Sequence, residues 1–138
     1  MKVIDSPVGV ARLVGEVAAV PADVYRYFTD ADLLEQWWPE EAAIDERSGL
    51  FELSWPGQGM RLLCQYLVRE SGRRLAFTWA FAHEPFPART VDVHFEPSDL
   101  GTRLTIEHTH GDDADERQGY IDGWKYFIER LRGVLPAD

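Results

Sequence analysis

The sequence predicts an α+β fold in which an antiparallel sheet of about six to seven strands packs against one long C-terminal helix. Apolar and polar residues alternate through most of residues 42–109, and apolar residues recur every three or four positions after residue 111. A sheet with one solvated face also needs cover on its other face, and the final helix is the only predicted element long enough to provide it.

The N-terminal part predicts one strand followed by two short helices. Residues 8–20 form the strand, because the middle of this segment alternates between two faces. Pro21 ends the strand and suits the first turn of a helix. A second helix begins at Thr29, where Thr29 and Asp32 resemble a capping box, and Pro39 stops it.

The middle and C-terminal parts predict consecutive strands and then the long helix. Ser71 and Gly72 predict a tight hairpin between two of the strands. The helix has an acidic start within residues 111–116, which favours a helix N-terminus, and it ends at Pro136. The predicted strands cover residues 51–55, 60–69, 75–81, 90–96 and 102–110.

Size and charge limit the classes of function. The chain has 138 residues, which suits a single domain spanning residues 1–138. Its formal net charge is −10, with 24 Asp and Glu against 14 Lys and Arg. A nucleic-acid binder needs a basic face, and anionic membranes also attract basic segments. We therefore expect neither nucleic acid nor a membrane as a partner.

Cysteine usage and the N-terminus indicate a cytoplasmic protein. Cys64 is the one cysteine, so no intramolecular disulfide can form and a reducing compartment is expected. Residues 1–10 lack a basic region followed by an apolar run, which argues against a secretory signal. No segment reaches the roughly 18 apolar residues needed to span a bilayer.

Several short motifs, in order along the chain, resemble one known family. It is the activator-of-heat-shock-ninety-ATPase homology family, within the START-like, birch-pollen-allergen-like helix-grip superfamily. The resemblance implies a sheet curled around the C-terminal helix, with a cavity between them. The motifs are Val20-Pro21, Asp23-Val24-Tyr25, Phe28-Thr29-Asp30, Gln36-Trp37-Trp38-Pro39, Phe77-Thr78-Trp79, Gly101-Thr102-Arg103-Leu104-Thr105 and Gly123-Trp124.

Aromatic residues are the leading candidates for a binding site. Small-molecule pockets are mostly apolar, with a few polar groups that orient the ligand. Five tryptophans in 138 residues is a high count. Each ring taken singly is better explained as core, but the set as a whole favours a cavity wall. The set comprises Trp37, Trp38, Trp55, Phe77, Trp79, Phe81, Tyr120, Trp124 and Phe127.

His108 is the leading polar candidate in the predicted cavity. It shares a strand face with Leu104 and Ile106, so it points inward if they do. An inward histidine can contact a ligand or act as a general base, or it can simply be a satisfied residue at a strand end. His110 lies on the same face, but zinc needs three or four ligands and no clear third is present. We expect no metal.

No catalytic set is recognisable. Cys64 is interpreted as a small apolar core residue, because no cysteine–histidine arrangement accompanies it. No phosphate loop or nucleophile elbow is present, and no cofactor is expected. The acidic run from Asp112 to Glu116 is interpreted as a solvated helix start, since it lacks the ligand pattern of a calcium loop.

Three functions remain open at this point. The first is binding of a small, largely apolar or aromatic molecule in the cavity, by a monomer or homodimer. The second is a cyclase- or aromatase-like enzyme that uses the same cavity, with His108 as the base. The third is a protein-interaction module, which predicts an exposed apolar or charged patch instead of an internal void.

Overall fold

A curved, fully antiparallel sheet is covered on one face by a 21-residue C-terminal helix. The computed structural model describes residues 1–84 and 86–136. Within them the sheet has eight strands, in the spatial order β1-β2-β8-β7-β6-β5-β4-β3. The strands are β1 Lys2–Ile4, β2 Val10–Val17, β3 Glu41–Ile44, β4 Leu50–Trp55, β5 Met60–Glu70, β6 Arg74–Phe81, β7 Arg89–Pro97 and β8 Thr102–Thr109.

Three α-helices accompany the sheet in the described part of the chain. Helices α1 (Pro21–Thr29) and α2 (Ala31–Leu34) connect β2 to β3, and α3 (Ala114–Val134) follows β8. A single 3₁₀ turn, Pro56–Gln58, joins β4 to β5. The long helix buries one stripe, formed by Ile121, Trp124, Ile128 and Leu131.

The strand registers align apolar side chains across the covered face of the sheet. Ile106 of β8 lies opposite Leu13 of β2 on one side and Val93 of β7 on the other. All three side chains are fully buried. Burial alternates strictly along β8, where Thr102, Leu104, Ile106 and His108 are buried and their neighbours are not. The core therefore lies between this face and α3.

The predicted α+β architecture is confirmed, with more strands than expected. The sheet has eight strands where about six to seven were predicted. The predicted ranges miss β1, a three-residue edge strand that pairs with β2, and β3, a four-residue strand at the opposite edge that pairs with β4. Strands this short show too little alternation to be recognised from sequence.

The cap of the second helix differs from the prediction. Asp30, not Thr29, caps α2, because its Oδ1 accepts a hydrogen bond from the backbone nitrogen of Leu33 at 3.2 Å. Thr29 is still the last residue of α1, and its hydroxyl donates to the carbonyl oxygen of Tyr25 at 3.1 Å. Two adjacent polar residues compete for the cap, and the one with extended backbone provides it.

None of the described helices is long and apolar enough to cross a bilayer. Helix α3 has the necessary length, but charged residues are distributed along it. Its apolar residues form a single stripe instead of covering the whole helix, as expected for a helix that packs on a sheet.

Candidate functional site

A cleft of about 990 Å³ lies between α3 and the adjacent ends of β4, β5 and β6. The segment that follows α2 forms another side of it through Trp38, Pro39 and Glu40. Its inner wall is aromatic and apolar, whereas charged side chains are concentrated around its rim. The inner wall comprises Trp38, Trp55, Met60, Trp79, Phe81, Tyr120, Trp124 and Phe127.

Seven of the ten residues predicted for the cavity lie in this wall, and three lie behind it. Trp37 is fully buried, and its indole nitrogen donates to the carbonyl oxygen of Tyr27 at 2.9 Å. Phe77 is also buried, with its ring 5.5 Å from that of Phe51. His108 is completely enclosed. The wall residues among the ten are Trp38, Trp55, Trp79, Phe81, Tyr120, Trp124 and Phe127.

Trp38 connects the two sides of the cleft. Its ring centroid lies 5.8 Å from that of Trp79 on β6 and 5.1 Å from that of Trp124 on α3. Its carbonyl oxygen accepts a hydrogen bond from the indole nitrogen of Trp55 at 3.2 Å. Aromatic contacts and a buried hydrogen bond thus hold the wall in one arrangement.

His108 is a structural residue behind the wall. Its Nδ1 accepts a hydrogen bond from the indole nitrogen of Trp124 at 2.9 Å, and its ring stacks on Tyr120 with 3.7 Å between centroids. Burial lowers the pKa of His108 to about 3. Because the indole can only donate, Nδ1 carries no proton and the neutral ring holds its proton on Nε2. A fully enclosed ring that resists protonation is poorly suited to the general-base role that the sequence left open.

Glu116 is the centre of a polar network that no sequence pattern predicted. Its carboxylate accepts hydrogen bonds from Arg89 Nε at 2.7 Å, Arg89 Nη2 at 3.0 Å, the Tyr120 hydroxyl at 2.7 Å and the Gly111 backbone nitrogen at 3.0 Å. Its side chain is 4% exposed, so the interpretation of the whole acidic run as a solvated helix start is wrong at this residue. Residues four apart on a helix lie on the same face, so the spacing of Glu116 and Tyr120 was the one sequence feature that could have predicted their contact.

The network determines the charge states of both side chains. Burial alone would raise the pKa of the Glu116 carboxyl, but the hydrogen bonds from Arg89, Tyr120 and Gly111 lower it to about 2. Burial and the adjacent carboxylate raise the pKa of the Tyr120 hydroxyl. Tyr120 therefore remains a protonated donor to Glu116, and its ring is held between the cleft and His108.

Three buried side-chain nitrogens have no hydrogen-bond partner within residues 1–84 and 86–136. They are Trp79 Nε1, His108 Nε2 and His110 Nε2. Trp79 is of special interest because it lies in the wall of the cleft and is 9% exposed. A buried donor without an acceptor is costly, so this indole nitrogen can gain from an acceptor brought by an occupant.

Two glycines of α3 leave space in the cleft. Gly119 and Gly123 line it, one helical turn apart, and a Cβ added at either position would meet no atom within 4 Å. Glycine inside a helix costs about 1 kcal/mol relative to alanine. These two residues therefore weaken the helix and enlarge the cleft at the same time.

The described residues contain no cluster of three or more His, Cys, Asp and Glu side chains able to hold a metal ion. Cys64 is buried at the sheet, and burial raises the pKa of its thiol. A thiol in this state is a poor nucleophile, which agrees with its interpretation as a core residue.

Comparisons with known proteins agree with this architecture. The model of the family described as "Activator of Hsp90 ATPase homolog 1-like protein" matches residues 18–136. No curated protein matches the chain. Among solved structures, the chain resembles protein MLL2253 from Mesorhizobium loti, with 27% identity and a TM-score of 0.75 over 90% of this chain and 94% of that one.

Two further solved structures are similar over nearly their full lengths. Protein Mll3558 from Rhizobium loti is 25% identical, with a TM-score of 0.77 over 98% of this chain and 100% of that one. Protein CV1439 from Chromobacterium violaceum is also 25% identical, with a TM-score of 0.76 over 94% of this chain and 99% of that one. The sheet and its long helix are thus a shared helix-grip fold.

Proposed function

Since this chain belongs to the Activator of Hsp90 ATPase homolog 1-like family, we propose that it binds a small, largely apolar or aromatic molecule in the cleft between the sheet and α3. The observation that carries the proposal is the aromatic wall around about 990 Å³ of space. Pockets for small organic molecules have volumes of roughly 300–1,000 Å³ and mostly apolar walls. Apolar burial would supply most of the affinity.

Burial of apolar ligand surface is the main favourable term in the proposed binding. A ligand that loses about 200 Å² of apolar surface to the cleft gains about 5 kcal/mol before the cost of association is subtracted. Because Trp38 holds together the β6 and α3 sides of the wall, little ordering of protein side chains is needed on binding. Because the wall is already ordered, less of the favourable burial energy is offset by the entropy cost of fixing side chains, and the affinity is higher.

Gly119 and Gly123 support the same function. A helix that only covered a sheet would be more stable with alanine at both positions. In α3 these positions face the cleft, where side chains would occupy the space available to a ligand. The two glycines thus lower the stability of α3 and, in return, leave room for a ligand in the proposed binding site.

Trp79 supplies the polar contact in the proposed complex. Its indole nitrogen is a buried donor that has no acceptor in the described structure. A ligand oxygen that reached Trp79 would provide that acceptor and fix the orientation of the bound molecule. We therefore expect the ligand to combine a flat apolar body with at least one hydrogen-bond acceptor.

The test is a titration of the purified protein with N-phenyl-naphthylamine, a neutral, apolar fluorescent probe. We expect its emission to rise and tryptophan emission to fall, because Trp38, Trp55, Trp79 and Trp124 line the cleft. Gly123→Leu fills the cleft and should weaken probe binding at least about tenfold. Gly133→Leu is the matched control, because Gly133 is an exposed helix position with nothing within 4 Å of an added Cβ.

Thermal unfolding of both variants shows that each is folded before binding is compared. Loss of binding in a folded Gly123→Leu protein, with binding retained by Gly133→Leu, supports the cleft as the site. Equal binding by both variants, or no binding by the wild-type protein, contradicts the proposal.

A further inference from the structure

Carboxylates dominate the rim of the aromatic cleft. Among the described residues that line it, Arg130 contributes a cation, and its Nε donates to the carbonyl oxygen of Trp37 at 2.9 Å. Acidic side chains outnumber it and come from three different parts of the chain: the segment around α2, the segment that follows β6 and the start of α3. They are Glu35, Glu40, Glu84, Asp113 and Asp115 at the rim, together with Glu116, whose side chain is only 4% exposed.

Most of this negative charge is uncompensated in the described structure. Arg89 neutralises Glu116, and His83 lies 3.8 Å from Glu84. Glu35 accepts a hydrogen bond from the backbone nitrogen of Ala42 at 2.8 Å, which satisfies an oxygen but leaves the charge in place. The ion pairs found within residues 1–84 and 86–136 include no cationic partner for Glu35, Glu40, Asp113 or Asp115.

The acidic rim attracts positive charge, and the aromatic wall favours a flat apolar group. An organic cation with an aromatic body combines both properties. Low-dielectric walls strengthen the field of nearby charges, so a cleft with an acidic mouth concentrates cations. Tryptophan faces add cation–π attraction for an ammonium group. The indole nitrogen of Trp79 is a separate demand: it has no partner in the described structure, and the residue is 9% exposed, so the occupant must also carry a hydrogen-bond acceptor apart from its ammonium group.

We propose that the cleft selects organic cations, namely molecules with a flat apolar or aromatic body, a hydrogen-bond acceptor for Trp79 and a protonated amine that lies among the rim carboxylates. This inference rests on the function proposed above and adds the charge of the ligand to it. Neutral analogues lose the attraction to the rim, and anionic analogues are repelled by it. The selection is electrostatic, so it weakens as salt increases.

The test uses three probes with the same ring system, namely methoxynaphthylmethylamine, methoxynaphthylmethanol and methoxynaphthoate, so that each carries an ether acceptor for Trp79 and the three differ in charge. Calorimetric titrations at about 20 mM and about 300 mM salt compare a cation, a neutral molecule and an anion in one site. We expect the amine to bind about tenfold more tightly than the alcohol at low salt, with methoxynaphthoate weaker still, and the ratio to shrink at high salt.

Charge-neutralising variants assign the effect to the rim. The double variant Glu40→Gln and Glu84→Gln should reduce the preference for the amine over the alcohol about threefold or more. The matched control is Glu70→Gln with Glu96→Gln, which removes the same charge from exposed positions outside the cleft lining. This control should retain the preference.

The outcomes separate the two proposals. Equal binding of amine and alcohol at low salt, or tightest binding of methoxynaphthoate, overturns the charge selection and leaves ligand binding intact. An equal effect of the rim and control variants also overturns it, because net charge would then explain the preference. Failure of all three probes to bind, together with failure of the neutral fluorescent probe, removes both proposals.

Discussion

The indole nitrogen of Trp124 on α3 donates a 2.9 Å hydrogen bond to Nδ1 of His108 on β8. Both side chains are buried, and His108 stacks on Tyr120 from the same helix. This contact connects the wall of the cleft to the sheet and places α3 relative to β8. The helix thus contacts the sheet through a specific polar pair in addition to apolar packing.

The first prediction concerns the energy of this pair. Trp124→Phe removes the donor and leaves Nδ1 of His108 buried without a partner, which should lower the free energy of unfolding by about 2–3 kcal/mol. A double-mutant cycle with His108→Phe, measured by urea unfolding, isolates the interaction. We expect a coupling energy above about 0.5 kcal/mol. Strict additivity of the two single variants would show that the hydrogen bond does not stabilise the fold.

The second prediction concerns acid stability. Burial lowers the pKa of His108 to about 3 in the folded protein, whereas an unfolded histidine titrates near its ordinary value of 6.5. The unfolded state therefore binds more protons between these values, so stability is lost as the pH falls through that window. Between pH 7 and pH 5 the loss from this one residue should be about 2 kcal/mol.

The measurement for acid stability is the free energy of unfolding from urea titrations across this pH range. His108→Phe is the comparison, because it removes this titration and leaves the other histidines and the carboxylates in place. The difference between wild type and variant should shrink as the pH falls. A difference that stays constant from pH 7 to pH 5 would mean that His108 is accessible to protons in the native state.

The third prediction concerns the Arg89–Glu116 pair. Arg89→Met leaves an ionised carboxylate with a side chain that is only 4% exposed, and it should destabilise the protein by about 2–3 kcal/mol. The control is Arg61→Met, which breaks an exposed pair with Glu52 and should cost less than about 1 kcal/mol. Similar costs for the two variants, measured by chemical denaturation, would argue against a special role for the Glu116 network.

The fourth prediction concerns the turn before β8. A Cβ added at Gly101 would lie 2.6 Å from the backbone nitrogen of Ala19 and 2.7 Å from the carbonyl oxygen of Val17, and the φ angle there is +152°. Backbone atoms cannot move aside as a flexible side chain can, so Gly101→Ala should destabilise by more than about 2 kcal/mol.

Gly59→Ala is the control for this turn. Gly59 also has a positive φ, of +66°, but nothing lies within 4 Å of an added Cβ. Its cost should be limited to the strain of the left-handed backbone, about 1 kcal/mol. The thermal unfolding midpoints of the two variants measure the difference. A smaller effect at Gly101 than at Gly59 would contradict the close approach to Ala19.

The inward face of β8 shows how far periodicity alone reaches. The alternation of Leu104, Ile106 and His108 correctly predicts that all three side chains point into the core. It does not reveal that His108 is sealed behind Tyr120 and bonded to Trp124. A two-residue period reports the face of a residue, whereas its exposure on that face depends on which helix side chain covers it.

Adjacent tryptophans give a second example. Trp37 and Trp38 are the same residue type and follow the same short helix, so the sequence treats them alike. Only Trp38 lines the cleft. Trp37 turns into the core and donates to the carbonyl oxygen of Tyr27. The local sequence cannot separate them, because their orientations depend on how the segment after α2 packs against the sheet.

The sequence by itself determined the α+β class, the long amphipathic helix and the aromatic character of any pocket, since these follow from local period and composition. Only the tertiary structure decided which rings face the cleft, that Glu116 is held by Arg89 and that carboxylates surround the cleft mouth. Arg89 and Glu116 are 27 positions apart, and Trp124 and His108 are 16 apart. Such contacts depend on strand register and on the placement of α3 over the sheet, which no local pattern encodes.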